Sequence, residues 1–439
     1  MKKILFSAIV MLAPFCAQAQ NATNSPYSQY GYGVLADQVN GASVAMSGLS
    51  LGWREGNTPN FGNPASYSAL DSITFIFDAG VSGQITNFKE GNHKLNAKNT
   101  SFDYIVGAYR LFKHVGTAFG VMPYSNVGYN YYNQFTIGTS SNKGDTKTTT
   151  TNTYSGSGGL HQVFLGIGVE PIHTKKTSFS VGVNGSYVWG DYNKSIVNQY
   201  SDAYVNTLSK YYIASVRTYK VDIAAQLRQQ LSSTDMLTVG AIYTIGHDMS
   251  SDPSCMVISK NSQTGVADTA TYKSNADLMM PTAFGAGFVW NHAGKWRVGF
   301  DWKMEKWGSV KYPMYEVVGS KASYTMKEGM FSDRNRYILG AEFCPNERGL
   351  KRRNRVRYRA GITYATPYLK INGMDGPKEY GASIGLGLPI INAYNNRSML
   401  NISASWTRLD APRLITENVF RINIGLTFNE RWFAKWQVE

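Results

Sequence analysis

Cysteine, charge and long apolar runs are all scarce in this sequence. Of 439 residues only 3 are cysteine, charged residues make up 16%, and no uncharged apolar run reaches the roughly 18 residues that a membrane-spanning helix needs. The first scarcity excludes a disulfide framework, and the last excludes a helical membrane protein. The second departs from ordinary soluble enzymes, in which about a quarter of residues are charged. What the chain has instead is 13% aromatic residues, 29 tyrosines among them, and 43 glycines. That aromatic content excludes a disordered chain, and the mixture fits a large all-β protein. The net charge of +14 is spread thinly, with only Lys351, Arg352 and Arg353 forming a dense cluster, so no nucleic-acid partner is expected.

The first residues read as a targeting segment. Lys2 and Lys3 precede an apolar run from Ile4 to Phe15, and Ala17-Gln18-Ala19 offers small residues at the positions a signal peptidase reads. Residues 1–19 are expected to be a cleaved signal peptide, and Cys16 to be lost with it.

Beyond this segment, apolar and polar residues alternate. Phe420, Ile422, Ile424, Leu426 and Phe428 interleave with Arg421, Asn423, Gly425 and Thr427, and the stretches around Phe179 and Val356 behave alike. The alternation persists for about nine to twelve residues, enough to cross a bilayer when tilted, whereas soluble strands run about five or six. Tryptophans near strand ends (Trp189, Trp290, Trp296, Trp302) suit interfacial girdles. Strands are predicted at about 72–88, 101–112, 116–136, 159–170, 177–190, 213–228, 236–247, 280–290, 296–304, 333–343, 354–366, 379–389, 399–408 and 418–428. This is a transmembrane antiparallel β-barrel of about 14 strands over residues 71–428, its short turns on the periplasmic side and its long loops outside. Outer loops are expected near 137–158, 190–212, 248–279 and 305–332. Residues 429–439 would form a short periplasmic tail.

Residues 20–70 do not alternate. They carry Val34, Leu35, Val44, Met46, Leu49, Leu51, Trp53 and Phe61, too apolar for a loose tail, and a barrel of this size has a lumen to fill. A plug is the expectation. With the signal peptide, the glycine-rich hatch holding Asn63-Pro64-Ala65 and the strand count in view, the mature chain resembles the FadL-type outer-membrane transporters of Gram-negative bacteria. That resemblance implies import of hydrophobic compounds such as long-chain fatty acids, by plug rearrangement and lateral release at a kinked third strand. In this chain the third strand contains Pro123-Tyr124-Ser125. Proline cannot donate a ladder hydrogen bond, so pairing must break or bulge there, whether as a gate or simply near a strand end.

The alternation turns Lys220, Asp222, Arg228, Arg297, Asp301, Lys303, Glu342 and Arg421 into the lumen, together with a ladder of Arg355, Arg357 and Arg359. Such cations would pair structurally with an acidic plug residue or hold an anionic head group. The histidines accompany no catalytic pattern and no metal-ligand spacing, so neither enzyme chemistry, cofactor nor metal is expected. Two functions remain. One is passage of a hydrophobic or amphipathic small molecule; the other is a non-transporting subunit of an outer-membrane secretion or assembly complex. Outer-membrane lipid is a partner in both.

Overall fold

In a computed structural model of the chain, residues 22–137, 148–347, 349, 351–390 and 398–431 are described. The expected signal peptide, Cys16, part of the Thr-rich outer loop and the tail from 432 onward lie outside them. Fourteen antiparallel strands form the barrel: β1 (Thr74–Glu90), β2 (His93–Phe112), β3 (Val115–Ile137), β4 (Thr148–His173), β5 (Thr177–Tyr200), β6 (Thr207–Gln230), β7 (Asp235–Thr244), β8 (Ala283–His292), β9 (Trp296–Glu305), β10 (Arg334–Phe343), β11 (Arg357–Ala365), β12 (Lys378–Ile390), β13 (Ser398–Asp410) and β14 (Thr416–Arg431). Each pairs with the next, and β1 pairs with β14 from Thr74↔Arg431 to Lys89↔Thr416, so the sheet closes. Closure leaves no free first or last strand, which is what lets strands live in hydrocarbon.

The faces are inverted relative to a soluble sandwich. On β14 the outward residue Ile422 is 61% exposed while the inward Thr427 is fully buried, and on β12 Ile384 is 66% exposed. Polar side chains fill the inside and aliphatic ones face out, which is stable only if the outer solvent is lipid. Among the described residues no helix is long and apolar enough to cross a membrane. Trp290 and Trp296 are exposed on either side of the turn that joins β8 to β9, at the barrel end carrying Thr74 and Arg431. By the convention of even-stranded barrels that end faces the periplasm.

The strand positions follow the alternation, and so do most lengths, β3 at Val115–Ile137 among them, but β2 and β4 to β6 are longer than predicted. Strands β2 to β6 run to between 20 and 26 residues, twice what a bilayer needs. The stretch expected as an outer loop at 190–212 is therefore mostly wall: β5 continues to Tyr200 and β6 begins at Thr207. The connections at 248–279 and 305–332 contain hairpins, Ser254–Lys260 with Ala267–Lys273 and Tyr312–Val318 with Lys321–Lys327. The first of these hairpins pairs with the outer part of β6, from Ser254↔Ile213 to Lys260↔Thr207, and so extends the wall beyond the membrane. One inward residue is corrected. β11 starts at Arg357, and Arg355 lies in a single turn of 3-10 helix, Arg352–Arg355, because the chain leaving β10 turns through a longer connection before it re-enters the sheet.

Candidate functional site

Residues 22–70 pack inside the barrel. Their elements are short because each turn must fit between walls: a 3-10 turn Pro26–Gln29, a two-residue strand Val34–Leu35, one helical turn Gly41–Val44 and a 3-10 helix Pro64–Ala69. Asn40 caps the helical turn by accepting from the Ser43 N–H at 2.9 Å. Asn63 does the same for the 3-10 helix, its Oδ1 accepting from the Ala65 N–H at 3.1 Å while its Nδ2 donates to the Leu51 carbonyl at 2.8 Å. Pro64 follows at the first helical position, where no N–H is needed. The Asn-Pro-Ala motif is thus a cap that ties one plug segment to another.

The wall meets the plug backbone through glycines. A Cβ built on Gly240 would overlap the Leu51 carbonyl, one on Gly116 the Tyr67 carbonyl, and ones on Gly168 and Gly182 the backbone at Pro64 and Ala65. Gly361 sits likewise against Met46. These inward positions need glycine for close approach.

Charged pairs lock the same region. Glu55 of the plug is 8% exposed and receives Arg297 and Arg357 from β9 and β11. Glu342 stands 3.3 Å from Arg297 and bonds Arg359 at 2.7 Å. Burial alone would push the Glu55 carboxyl up, but the adjacent Arg357 and Arg297 outweigh it and hold the group well below the ordinary glutamate value. Arg54 pairs with Glu170 and donates to Ser180 Oγ at 2.9 Å. Asp301 is fully buried and accepts the backbone N–H groups of Ser50 and Leu51 at 2.7 and 2.9 Å.

Toward the outer end lies a cavity of about 330 Å³, between the plug and the wall. Its lining mixes apolar side chains such as Phe61, Met280 and Phe284 with paired charges. Arg336 reaches Asp37 at 2.6 Å, Arg334 reaches Glu379 at 2.8 Å, and Lys220 reaches Asp222 at 2.6 Å, all three pairs facing the space. The cavity extends to Pro123, Tyr124 and Asn126.

At that point the wall changes. β2 and β3 pair only from Ile105↔Val121 to Phe112↔Val115. Beyond them β2 stays with β1, β3 stays with β4, and the β3–β4 register shifts between Pro123 and Ser125. The plug occupies the parting. Val34 and Leu35 pair with Asn126 and Ser125, and the Ala36 N–H donates to the Tyr124 carbonyl at 3.0 Å. Asn24 donates to Asn99 of β2 at 3.0 Å, while Ser28 accepts from the Gly128 N–H of β3 at 3.1 Å. Pro123, Tyr124 and Ser125 are all buried, and Ser125 shares a 3.1 Å hydrogen bond with the Tyr192 hydroxyl.

The residues expected at the site therefore fall in three places. Asn63, Pro64 and Ala65 are in the plug against β4 and β5; Pro123, Tyr124 and Ser125 are at the parting; Arg357 and Arg359 are in the ion cluster, without Arg355. Sequence reading missed Arg54, Glu55 and Glu170. It also missed the inward glycines, although these recur at lumen positions of the alternation, where a polar side chain is usual.

No curated protein matches the chain. Solved structures share its fold at low identity. The Pseudomonas putida toluene transporter TodX is 16% identical, with 91% of this chain and 100% of that chain covered and a TM-score of 0.57. A Pseudomonas aeruginosa FadL homologue is 11% identical, with 90% and 99% covered and a TM-score of 0.56. The CymD monoaromatic hydrocarbon channel is 14% identical, with 89% and 97% covered and a TM-score of 0.55. The resemblance to FadL-type barrels thus extends to the architecture, while the sequence signature is another one: it is the profile described as BamG that matches, over residues 1–439, and the chain belongs to the BamG family.

Proposed function

We propose that this protein is a sealed outer-membrane barrel serving as a non-transporting subunit of a secretion or assembly complex. The observation that carries the reading is the lock between plug and wall: Glu55 with Arg297 and Arg357, Arg54 with Glu170, and Asp301 on the plug backbone. Removing one partner of such a buried set costs about 3–5 kcal/mol. A plug that had to move in every transport cycle would break several such contacts. The wall of β3 to β6, with its added hairpin, supplies tall surface outside the bilayer for a partner.

A second reading keeps the fold's transport use, passage of a hydrophobic or fatty-acid-like compound with lateral release. It is favoured by the parting of β2 and β3 beside Pro123. The two readings separate in one experiment. Tagged full-length protein is purified from its own membranes in mild detergent, and everything that accompanies it is identified by mass spectrometry. One or more stoichiometric proteins support the subunit; a stoichiometric apolar small molecule with no protein overturns it in favour of transport. For the second reading, Pro123→Val should slow uptake of such a compound, and unchanged uptake removes the gate.

A further inference from the structure

At the turn end of the barrel three metal-ligating side chains converge, and the sealed-barrel reading uses only one of them, Glu170, through its Arg54-facing oxygen. His114 sits in the two-residue turn between β2 and β3, with a left-handed backbone at φ 65°, and its carbonyl accepts from the Glu170 N–H at 2.9 Å. That bond sets the start of β3 beside the end of β4. Glu170 and His173 are three residues apart on β4, and in a regular strand they would point to opposite faces. The β4–β5 register shifts between Val169 and Ile172, around Pro171, and this bulge brings both side chains to one place. The His173 Nδ1 then meets Glu170 Oε1, and the His114 Nδ1 stands 3.8 Å from the same oxygen. The two imidazole rings lie 4.3 Å apart, and one donor atom from each of the three residues falls within 4.8 Å of the others.

We infer that His114, Glu170 and His173 form a binding site for one divalent transition-metal ion of the zinc or cobalt class, open to water at a fourth position. Two imidazoles with one carboxylate are a borderline donor set that suits such ions and not calcium or magnesium. Bonds of about 2.0–2.2 Å in tetrahedral geometry place donor atoms a little over 3 Å apart, so small side-chain rotations close the set. Access and support are both present. His173 is about half exposed and His114 a quarter exposed, while Glu170 is buried. The carboxylate divides its oxygens, Oε1 toward the histidines and Oε2 to Arg54 of the plug, so Arg54 orients the ligand from behind. A bound ion would fasten the β2–β3 turn to β4 through a residue that also holds the plug.

The test uses the full chain in detergent with a tag that contains no histidine, titrated with Co²⁺ and then with Zn²⁺. The expected result is one Co²⁺ per chain, with the visible absorption of a four-coordinate site, displaced by Zn²⁺. His173→Gln and His114→Asn, the latter chosen because Asn tolerates the left-handed backbone, should each weaken binding at least tenfold. His292→Gln, outside the site, should leave it unchanged. Retained heat-modifiable migration of each variant shows that the barrel has folded. The inference is overturned if the wild-type protein takes up no stoichiometric Co²⁺. It is overturned equally if His173→Gln and His114→Asn bind as tightly as the wild type.

Discussion

The two halves of the plug are held by different chemistry. Residues 40–70, in the lower half of the lumen, have wall glycines against their backbone and buried ion pairs at Arg54 and Glu55. Residues 22–39 lie higher, where β2 and β3 part. They are held by the short pairing of Val34 and Leu35 with β3, by the Asp37–Arg336 pair, by side-chain hydrogen bonds and by an aromatic cluster in which Tyr32 stands 5.3 Å from Trp307 and 6.0 Å from Phe331. Glycine contact and buried charge fix one arrangement, because any displacement leaves overlap or an unpaired ion. Aromatic packing and exposed pairs permit adjustment, because the rings remain in contact through small shifts. The lower half therefore acts as the seal, and the upper half as a filler for an opening in the wall.

This contrast can be broken most strongly at Glu55. Replacing it by Ala takes the plug carboxylate from Arg297 and Arg357, which keep only Glu342 and Glu347, and should cost up to about 3–5 kcal/mol, read as a lowered urea midpoint in detergent. Acid should reach the same contact without a mutation. Because the folded Glu55 value is depressed, its contribution is complete above the ordinary value of about 4.5 and is lost as pH falls through the folded value. The wild-type urea midpoint should thus drop below about pH 4.5, and it should drop less in Glu55→Gln. An intermediate effect is expected for Gly240→Val, which forces the wall against the Leu51 carbonyl at a cost of about 1–3 kcal/mol. Limited proteolysis within residues 40–70 should detect the displaced plug.

Effects in the upper half should be smaller. The Tyr32 hydroxyl donates to the Met279 carbonyl at 2.9 Å and accepts from its N–H at 3.1 Å, and Tyr32→Phe should cost about 1 kcal/mol while sparing the ring contacts. Asp37→Ala should cost less again, about 0–1 kcal/mol, because that carboxylate is 45% exposed beside Arg336. A loss at Asp37 as large as that at Glu55 would erase the distinction between the halves.

Much of the barrel was legible because lipid imposes a period of two that polar and apolar residues must obey. Ile422 and Thr427 announce their faces in the sequence itself. The heights of β4 to β6 were not legible, since above the bilayer either face meets water and the alternation fades: Ser195 and Ser155, 2.7 Å apart, are polar neighbours on adjoining strands. Arg355 was placed one step too early because the alternation runs on through a turn that only the return path from β10 creates. Glu55 could be seen as a charge in an apolar segment, but its two arginines come from strands far along the chain. The histidine and carboxylate cluster left no spacing signal, because a strand bulge and a turn from the neighbouring strand assemble it.

By itself, then, the sequence determined a closed antiparallel barrel with a filled lumen, through periodicity, the shortage of helix-forming apolar runs and the apolar character of residues 20–70. Only the tertiary structure decided which charges meet, where β2 leaves β3, and that the plug is locked below and adaptable above. Those outcomes depend on register and on contacts between strands distant in the chain, and local patterning carries no information about either.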